Sequence, residues 1–258
     1  MSKDIHPTAI VSPKAYIEEN VTIGPFVIIG ENVKIGAGTK IDAFAQVLGN
    51  TEIGKNCHIF SYAIIGNITQ DLKYKGEKSY LIIGDNNKIR EFVTIHPGTE
   101  GGSKTIVGNN NLFMVYSHIA HDCKIGDNNI FANAATLAGY VTVENNAVIG
   151  GLAAIHQFCR IGSFSIVGGC SKVVQDVPPY SMCDGHPAVV KSINVVGLRR
   201  ANFSSQKIQL IKKAFKILFF QKHPFNVAKK IIEEELPSSE EISYLLDFIS
   251  SSKRGICL

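Results

Sequence analysis

Aliphatic side chains recur every six residues along most of this chain, and few folds accommodate such a period. Stepping from Ile5 gives a β-branched residue at every sixth position through Ile65 without a failure. The step resumes over residues 83 to 95 and 107 to 173, which brings the series to 26 positions. A helix repeats its apolar face at about 3.6 residues and a single strand at two. The six-residue period therefore predicts short strands stacked as a solenoid, in which each rung buries its face against its neighbours.

The residues between these aliphatic positions support the same interpretation. Small side chains stand four residues after many of them, and Cys57, Cys123 and Cys159 fall in this class. The six cysteines show neither a paired motif nor zinc-ligand spacing, so we predict reduced structural thiols and no metal. Glycine directly follows many of the aliphatic positions, as at Gly24 and Gly36. We predict that these glycines form tight corners with a positive φ angle.

Two interruptions break the period, near residues 67–80 and 97–105. Loops inserted into a regular solenoid are natural places for function. The period ends near Val177, and the pattern that follows is helical. The sequence therefore predicts a mainly β protein: a solenoid domain over residues 1–186, followed by a small α-helical domain over residues 187–258.

Signals for helix starts occur twice in the predicted helical domain. Ser204 or Ser205 precedes a run of apolar residues at helical spacing and is a candidate N-cap. Ser238 with Glu241 has the spacing of a capping box. We therefore predict at least two capped helices in this part of the chain.

Charge is unevenly distributed along the chain. The net charge is +4, but residues 187–258 carry twelve Lys or Arg against six Asp or Glu, and residues 1–186 carry a net −2. A basic segment suits an acidic partner or a phosphorylated substrate, and it is equally typical of a solvated helical surface. The sequence shows neither a membrane-spanning apolar run nor a secretion signal. It predicts a cytoplasmic protein with no membrane insertion, no nucleic-acid partner and no cofactor.

A polar patch emerges when the chain is folded into turns of eighteen residues, the number found in left-handed hexapeptide solenoids, which this period resembles. Adding 18 to residues 120–122 gives 138–140, and adding 18 again gives 156–158. Successive turns then stack several polar or backbone-exposing residues on one edge: His121, Asp122, Gly139, Tyr140, His156 and Gln157. Core positions do not require such polarity, so we predict a functional site on this edge.

His121 is the candidate general base of this patch, because a neutral imidazole takes a proton from a hydroxyl near neutral pH. Asp122 would orient it only if corner geometry brings these sequence neighbours to one side, since neighbours on a strand point to opposite faces. The backbone N–H of Gly139 is a candidate oxyanion donor. Two alternatives remain: His121 as a hydrogen-bonded corner residue, and a zinc hydratase of the γ-class carbonic anhydrase type built from His96, His118 and His121.

Five motifs carry a resemblance to a known family: HIAHDC (118–123), LAGY (137–140), IHQFC (155–159), VGGCSKVVQDVPPY (167–180) and GLRR (197–200). NQDLKYKGE in the first insertion and FVTIHPGT also match. The chain resembles, over essentially its whole length, the acyl-carrier-protein:UDP-N-acetylglucosamine O-acyltransferases of lipid A biosynthesis. The resemblance implies a left-handed parallel β-helix, a homotrimer with active sites between neighbouring solenoids, and acyl carrier protein and UDP-N-acetylglucosamine as substrates.

The resemblance also implies roles for individual residues. Asp71 and His121 would engage the glucosamine ring, and Lys73 and His118 would line the same site. Gly169 matches a position that limits acyl length, and a glycine there leaves room for a long chain. The positions that would contact the nucleotide or its phosphates are His156, Gln157, Asn194 and Arg200.

Three positions depart from the family pattern. Tyr140 stands where many members carry histidine, Val196 where some carry glutamate, and Ala201 where a second arginine is common. These departures concern the nucleotide site and leave His121 in place. The sequence leaves open the length of the acyl chain and whether that chain is hydroxylated. It also leaves open whether the acceptor sugar carries a 3-hydroxyl or a 3-amino group.

Other functions share the solenoid. An N-acyltransferase of the same pathway would carry a further N-terminal nucleotide-binding domain, for which repeats starting near residue 5 leave no room. Acetyltransferases that use coenzyme A generally lack the NQDLKY insertion. A non-catalytic assembly scaffold predicts no turnover and no effect of changing His121.

Overall fold

The six-residue period forms three parallel sheets wound into a solenoid in the computed structural model, which describes residues 4–258. Nearly every strand pairs in register with the equivalent strand of the next turn, as Ile5 does with Ile23. The predicted solenoid followed by a small helical part is confirmed. Residues 1–3 of the predicted solenoid domain lie outside the described residues.

Each turn contributes one short strand to each sheet. The first sheet contains eleven strands: β1 Asp4–Ile5, β4 Thr22–Ile23, β7 Lys40–Ile41, β10 His58–Ile59, β13 Lys88–Ile89, β16 Leu112–Phe113, β19 Ile130–Phe131, β22 Val148–Ile149, β25 Ile166–Val167, β27 Ser181–Gly185 and β28 Ala188–Ile193. The second contains nine: β2 Ile10–Val11, β5 Ile28–Ile29, β8 Gln46–Val47, β11 Ile64–Ile65, β14 Thr94–Ile95, β17 His118–Ile119, β20 Thr136–Leu137, β23 Ala154–Ile155 and β26 Lys172–Val173. The third contains eight: β3 Tyr16–Ile17, β6 Lys34–Ile35, β9 Thr51–Ile53, β12 Tyr80–Ile83, β15 Lys104–Val107, β18 Lys124–Ile125, β21 Thr142–Val143 and β24 Arg160–Ile161.

Strand composition explains which side chains form the core. In most two-residue strands the first side chain faces outward and the second is buried, as in Lys40–Ile41. The small residues predicted as core filler are also buried, including Cys57, Cys123 and Cys159. All six cysteines are free, so no disulfide contributes to the fold. Stability comes from the stacked aliphatic column and from the backbone hydrogen bonds between turns.

The prediction that glycines after the aliphatic positions adopt a positive φ angle was wrong. Gly24 and Gly36 do not adopt a positive φ angle; a Cβ on Gly36 would lie 2.6 Å from the carbonyl carbon of Gly54 in the next turn. These glycines are therefore selected by the close approach of successive turns. The positive φ angles occur instead at corner residues such as Phe44 and Asn56, with φ of 63° and 53°. Asparagine tolerates that conformation better than most residues, and at the phenylalanine corners the surrounding turns impose it.

A buried asparagine ladder runs along the corner between the third and first sheets. Asn87 Oδ1 accepts hydrogen bonds from both the backbone N–H and Nδ2 of Asn111, at 2.9 and 3.0 Å. Asn111 Oδ1 accepts from the backbone N–H of Asn129 at 2.8 Å, and its Nδ2 donates to the carbonyl of Gly126 at 3.0 Å. This ladder satisfies backbone groups that the solenoid buries between turns.

Asn111→Ala should destabilise the solenoid, because it leaves the Asn129 N–H and the Gly126 carbonyl without these partners. The expected loss is about 3 kcal/mol, since each unsatisfied buried group costs roughly 1–3 kcal/mol. Denaturant unfolding at fixed protein concentration measures it. Asn32→Ala is the matched control, because Asn32 is exposed and its side chain makes no hydrogen bond within residues 4–258. Equal stabilities of the two variants would contradict the role given to the ladder.

The two insertions lengthen individual turns without breaking the sheets. In the second sheet Ile64 pairs with Thr94, Thr94 with His118, and His118 with Thr136. The spacing is thus 30, then 24, then 18 residues. The first insertion extends to Ser79, before β12, and the second ends at Ser103, before β15. Both leave the solenoid at the corner between the second and third sheets.

A β-hairpin and four helices close the C-terminal end. Strands β27 and β28 pair antiparallel, and the predicted boundary between residues 186 and 187 falls at the turn of this hairpin. The helices are α1 Val195–Arg200, α2 Ser205–Phe215, α3 Phe225–Glu235 and α4 Glu240–Ser250, and a π-helical segment Lys216–Phe220 extends α2. None of the helices in residues 4–258 combines the length and hydropathy that crossing a membrane requires.

The N-cap predicted for α2 is confirmed, and the N-cap predicted for α4 is not. Ser204 caps α2, as predicted, by accepting from the N–H of Lys207. The predicted capping box at Ser238 was displaced by one residue. Ser239 caps α4 by accepting from the N–H of Ile242, and Glu241 instead pairs with Lys207 at 2.5 Å.

Candidate active site

A cleft of about 560 Å³ lies where the first insertion approaches the corner between the second and third sheets. Its walls come from the insertion, from β17 and β20, and from the corner residues that follow these strands. The residues that line it are Gln70, Asp71, Leu72, Lys73, His96, His118, Ala120, His121, Thr136, Leu137, Ala138 and Gln157. We call it the acceptor cleft. Of the polar edge predicted by the eighteen-residue step, His121 and Gln157 line this cleft.

His121 and Asp122 form a buried pair at the centre of this corner. His121 Nδ1 lies 2.9 Å from Asp122 Oδ2, and the two residues are 9% and 8% exposed. Asp122 has a positive φ of 59°, which turns its side chain to the same side as that of its neighbour. The corner geometry that the sequence left open is therefore present. An acceptor on Nδ1 favours the tautomer whose Nε2 is free to take a proton.

Two residues of the second insertion region hold Asp122 in place. The backbone N–H of Thr99 donates to Asp122 Oδ2 at 3.1 Å, and the hydroxyl of Thr105 accepts from the backbone N–H of Asp122 at 2.8 Å. Both threonines are buried. The sequence pattern did not identify them, because they stand in or beside an insertion that interrupts the period.

Asp71 reaches His121 from the opposite side. Its Oδ2 lies 3.6 Å from His121 Nε2, and its Oδ1 accepts from the backbone N–H of Lys73 at 3.0 Å. The imidazole therefore lies between two carboxylates, one on each ring nitrogen. The space beside Nε2 and Asp71 belongs to the acceptor cleft, where a hydroxyl group would meet the base.

Gly139 packs directly against the imidazole. A Cβ at this position would overlap the Cε1 and Nε2 atoms of His121, so the ring occupies the space of a side chain. The backbone N–H of Gly139 has no acceptor among residues 4–258. Tyr140 contacts the ring edge-on at 5.3 Å and stacks on Phe158 at 5.0 Å. The predicted stacking is present, since the N–H of Tyr140 donates to the carbonyl of His121 at 3.0 Å.

Two further histidines line the acceptor cleft: His118, in β17, and His96, directly after β14. His118 Nδ1 lies 2.7 Å from the hydroxyl of Thr94, its neighbour in the second sheet, and its ring meets that of His96 edge-on at 5.0 Å. Burial, with the neighbouring imidazoles as a smaller cause, lowers the pKa of His96 to about 4. Burial also lowers the pKa of His118, and His121 adds to the effect. Both rings are thus neutral at pH 7 and serve as hydrogen-bonding groups.

The remaining predicted site residues divide into two sets. Lys73 and Gln157 line the acceptor cleft. His156 is exposed beside Gln157, and its Nδ1 lies 3.1 Å from the carbonyl oxygen of Gln157. Asn194 and Arg200 do not line the cleft of their own chain. Asn194 caps α1 by accepting from the N–H of Gly197 and donates to the carbonyl of Phe164.

Gly169 is the last of the predicted site residues. It lies exposed at a corner between the first and second sheets, where a Cβ would stand 3.3 Å from the carbonyl oxygen of Gly151. This position is also outside the lining of the acceptor cleft of the same chain.

No group of three or more His, Cys, Asp or Glu side chains within residues 4–258 is arranged to hold a metal ion. The trio of His96, His118 and His121 is not such a group. The geometry therefore does not support the zinc hydratase alternative.

Family models match most of the chain in three segments. A model described as UDP-N-acetylglucosamine O-acyltransferase, domain 2, matches residues 176–257. A bacterial transferase hexapeptide model of six repeats matches residues 104–139, and a model of the GMPPB C-terminal domain matches residues 5–95. The first covers the hairpin and helices, and the other two cover solenoid turns.

Whole-chain relatives agree with these matches. The acyl-[acyl-carrier-protein]–UDP-N-acetylglucosamine O-acyltransferase of Thermodesulfovibrio yellowstonii is 53% identical over 98% of this chain and 99% of its own length. The protein of that name from a Sulfurihydrogenibium species is 55% identical over 98% and 94%. The crystal structure of LpxA from Acinetobacter baumannii superposes with a TM-score of 0.94 at 45% identity, covering 98% of this chain and 99% of that one. The chain therefore belongs to the UDP-N-acetylglucosamine O-acyltransferase family.

Proposed function

We propose that this protein transfers a 3-hydroxyacyl chain from acyl carrier protein to the 3-hydroxyl of UDP-N-acetylglucosamine, the first step of lipid A biosynthesis. The observation that carries the proposal is the buried His121–Asp122 pair, whose free Nε2 faces a cleft with Asp71. Relatives that share half of its residues over nearly their whole length are named for this reaction. No covalent nucleophile is required by this arrangement.

The proposed chemistry is a direct acyl transfer with His121 as general base. Nε2 removes the proton of the sugar hydroxyl as its oxygen attacks the thioester carbonyl. The Gly139 N–H, which has no acceptor within residues 4–258, is the proposed donor to the oxyanion that forms, a role worth about 3 kcal/mol in other enzymes. When the carbon–sulfur bond breaks, the imidazolium returns its proton to the leaving thiolate. Asp122 stabilises the imidazolium through Nδ1.

Asp71, His118 and Lys73 are proposed to hold the sugar. The Asp71 carboxylate lies beside His121 Nε2, so it accepts from a neighbouring sugar hydroxyl and orients the one that reacts. Neutral His118, fixed by Thr94, offers its remaining ring nitrogen to the cleft. His156 and Gln157 lie one turn beyond and are assigned to the nucleotide.

The carrier protein is assigned to a groove on the helical domain, which we call the lysine groove. It encloses about 510 Å³ between β28, α2 and the π-helical segment, and its floor includes Phe215 and Phe220. Its cationic side chains are unpaired within residues 4–258: Lys191, Lys212, Lys213 and Lys216. An apolar floor with a cationic rim fits an acidic partner that presents an apolar contact.

A homotrimer in the cytoplasm is the proposed working form. Asn194 and Arg200 match family positions for nucleotide contact but do not line the cleft of their own chain, so a neighbouring copy would supply them. An exposed column of aromatic rings stacked at 4.9 to 5.1 Å also supports association: Phe26, Phe44, Tyr62, Phe92 and Tyr116. Contiguous exposed apolar surface of this kind marks interaction sites.

The test is transfer of 3-hydroxymyristate from its carrier protein to UDP-N-acetylglucosamine, with product identified by mass spectrometry. Turnover is expected with this pair, and the 3-amino sugar nucleotide is run in parallel as the competing acceptor. Exclusive use of the amino acceptor would overturn the O-acyl assignment. Absence of transfer from any donor, with oligomers intact, would overturn the enzymatic proposal.

Gly169→Met should shorten the preferred acyl chain, because Gly169 is the position that matches the family's length limit. An added side chain would occupy space now left open at this exposed corner. Relative kcat/KM across carrier-protein donors of increasing chain length measures the shift, and we expect a loss of roughly tenfold or more for the longest donors. Unchanged selectivity across the series would remove Gly169 from the acyl site.

A further inference from the structure

The second insertion, residues 97–105, lies beside the catalytic corner and is fixed to the rest of the protein by backbone bonds. The N–H of Gly98 donates to the carbonyl of Tyr80 at 3.2 Å, and the N–H of Gly102 donates to the carbonyl of Lys78 at 2.9 Å. Both acceptors lie where the first insertion meets β12. The insertion therefore holds a defined position next to Asp122.

The backbone bond at Asp122 differs from those at the same corner of the next two turns. The N–H of Tyr140 donates to the carbonyl of His121 at 3.0 Å, and Phe158 makes the equivalent bond one turn later, at 3.2 Å. All three corner residues have a positive φ angle, between 59° and 67°. The N–H of Asp122, however, donates to the hydroxyl of Thr105 at 2.8 Å. A side-chain oxygen thus takes the place of a backbone carbonyl at this corner.

The second insertion explains this replacement. Thr94 pairs with His118, so the carbonyl equivalent to the one that Tyr140 uses belongs to Pro97, where the insertion begins. Within residues 4–258 no backbone carbonyl accepts from the N–H of Asp122. A buried N–H without an acceptor costs free energy, so this corner requires an acceptor from a side chain.

The carboxylate of Asp122 lies against the same insertion. Its Oδ2 accepts from the N–H of Thr99 at 3.1 Å and lies 2.9 Å from His121 Nδ1. A Cβ on Gly98 would stand 2.8 Å from its Oδ1, so the absence of a side chain there leaves room for the carboxylate. The insertion therefore contacts both the backbone and the carboxylate of Asp122.

We propose that Thr105 is a positioning residue for acyl transfer, which acts on His121 through Asp122. This inference rests on the proposed function, in which His121 is the base. The Thr105 hydroxyl holds the corner conformation that turns the Asp122 carboxylate toward Nδ1 of His121. A residue other than glycine keeps a positive φ angle only where its surroundings support it. Thr105 is fully buried and does not line the acceptor cleft, so its effect is indirect.

The third sheet contains a matched control for Thr105. Thr51 and Thr105 pair with Leu81 from opposite sides, so the three residues occupy one column. Both threonines are fully buried, and the hydroxyl of Thr51 donates to the carbonyl of Leu48 at 2.6 Å. Leu81 shows that this column accommodates an apolar side chain. Valine at either threonine position therefore removes one hydroxyl and one hydrogen bond while it keeps the branched shape.

Steady-state transfer by Thr105→Val, Thr105→Ser and Thr51→Val tests the proposal. Thr105→Val should lower kcat about tenfold with both KM values unchanged, a smaller loss than the 10²-fold that a 1 Å misplacement can cause. Thr105→Ser keeps the hydroxyl and should retain most of the native kcat. Thr51→Val should retain all of it, and thermal unfolding should show similar losses of stability in the two valine variants.

A double-mutant cycle and a crystal structure separate positioning from general stability. In an Asp122→Ala background, Thr105→Val should cause no further loss of kcat, because the carboxylate through which Thr105 acts is absent. The crystal structure of Thr105→Val should place Asp122 Oδ2 beyond hydrogen-bond distance of His121 Nδ1. This second measurement does not depend on turnover.

Four results would overturn the proposal. They are native kcat in Thr105→Val, an equal loss of kcat in Thr51→Val, a further tenfold loss in the Asp122→Ala background, and an unchanged contact between His121 and Asp122 in the variant crystal structure. A native protein that acylates no sugar nucleotide would instead refute the proposed function. The crystal structure of Thr105→Val would then still decide whether Thr105 fixes Asp122.

Discussion

His121→Ala is expected to lower kcat about a thousandfold or more, while the KM for UDP-N-acetylglucosamine changes little. Removing a positioned general base typically costs 10²- to 10⁴-fold. The loss belongs at the upper end, because Asp71 and Asp122 flank the imidazole and neither is arranged to replace it. The measurement is steady-state transfer from saturating acyl donor.

His58→Ala is the control for that variant. His58 also pairs with a carboxylate, Asp42, at 2.7 Å, but it lies on the first sheet and does not line the acceptor cleft. It should retain nearly full activity. If His121→Ala kept more than a tenth of native kcat with its fold intact, His121 would be a corner residue and another group would have to act as the base.

Gly139→Ala is expected to lower kcat about a hundredfold without unfolding the protein. The added Cβ overlaps the His121 ring, so the imidazole must move away from Asp122 or from the acceptor cleft. A displacement of about 1 Å at a reacting group can cost 10²-fold. The variant keeps the backbone N–H of residue 139, so a rate loss would report the position of the ring.

Gly101→Ala makes the same chemical change where nothing lies within 4 Å of the new Cβ, so it should be silent. Thermal unfolding of both variants separates a shifted imidazole from general destabilisation. Native kcat in Gly139→Ala would mean that the space beside the ring is not needed, and the proposed packing of His121 against residue 139 would be wrong.

The sequence predicted the solenoid and the catalytic edge because both depend on a regular step. A six-residue period predicts aliphatic columns that stack turn on turn. The eighteen-residue turn came from the family resemblance, and Ile5 pairs with Ile23 at that spacing. The eighteen-residue step then places His121, Gly139 and Gln157 on one edge, since no insertion intervenes between these turns.

The sequence was less informative where regularity ends. The contact between Asp71 and His121 depends on how a loop of the first insertion folds back, and the bond between Thr94 and His118 spans a turn lengthened to 24 residues. Glycine after the aliphatic positions suggested positive φ angles, but close approach between turns was the cause. Periodicity carries no information about these contacts, because they join segments whose separation is set by packing.

The sequence by itself determined the solenoid, because a strict six-residue period requires stacked short strands, and its resemblance to a family with eighteen-residue turns indicated the edge on which a base would lie. Only the tertiary structure decided the chemistry of that edge. The positive φ at Asp122 turns its carboxylate toward His121, the first insertion brings Asp71 to the other ring nitrogen, and the Thr105 hydroxyl accepts from the backbone N–H of Asp122. These arrangements arise from contacts between distant parts of the chain, where side-chain packing and hydrogen bonding outweigh any local pattern.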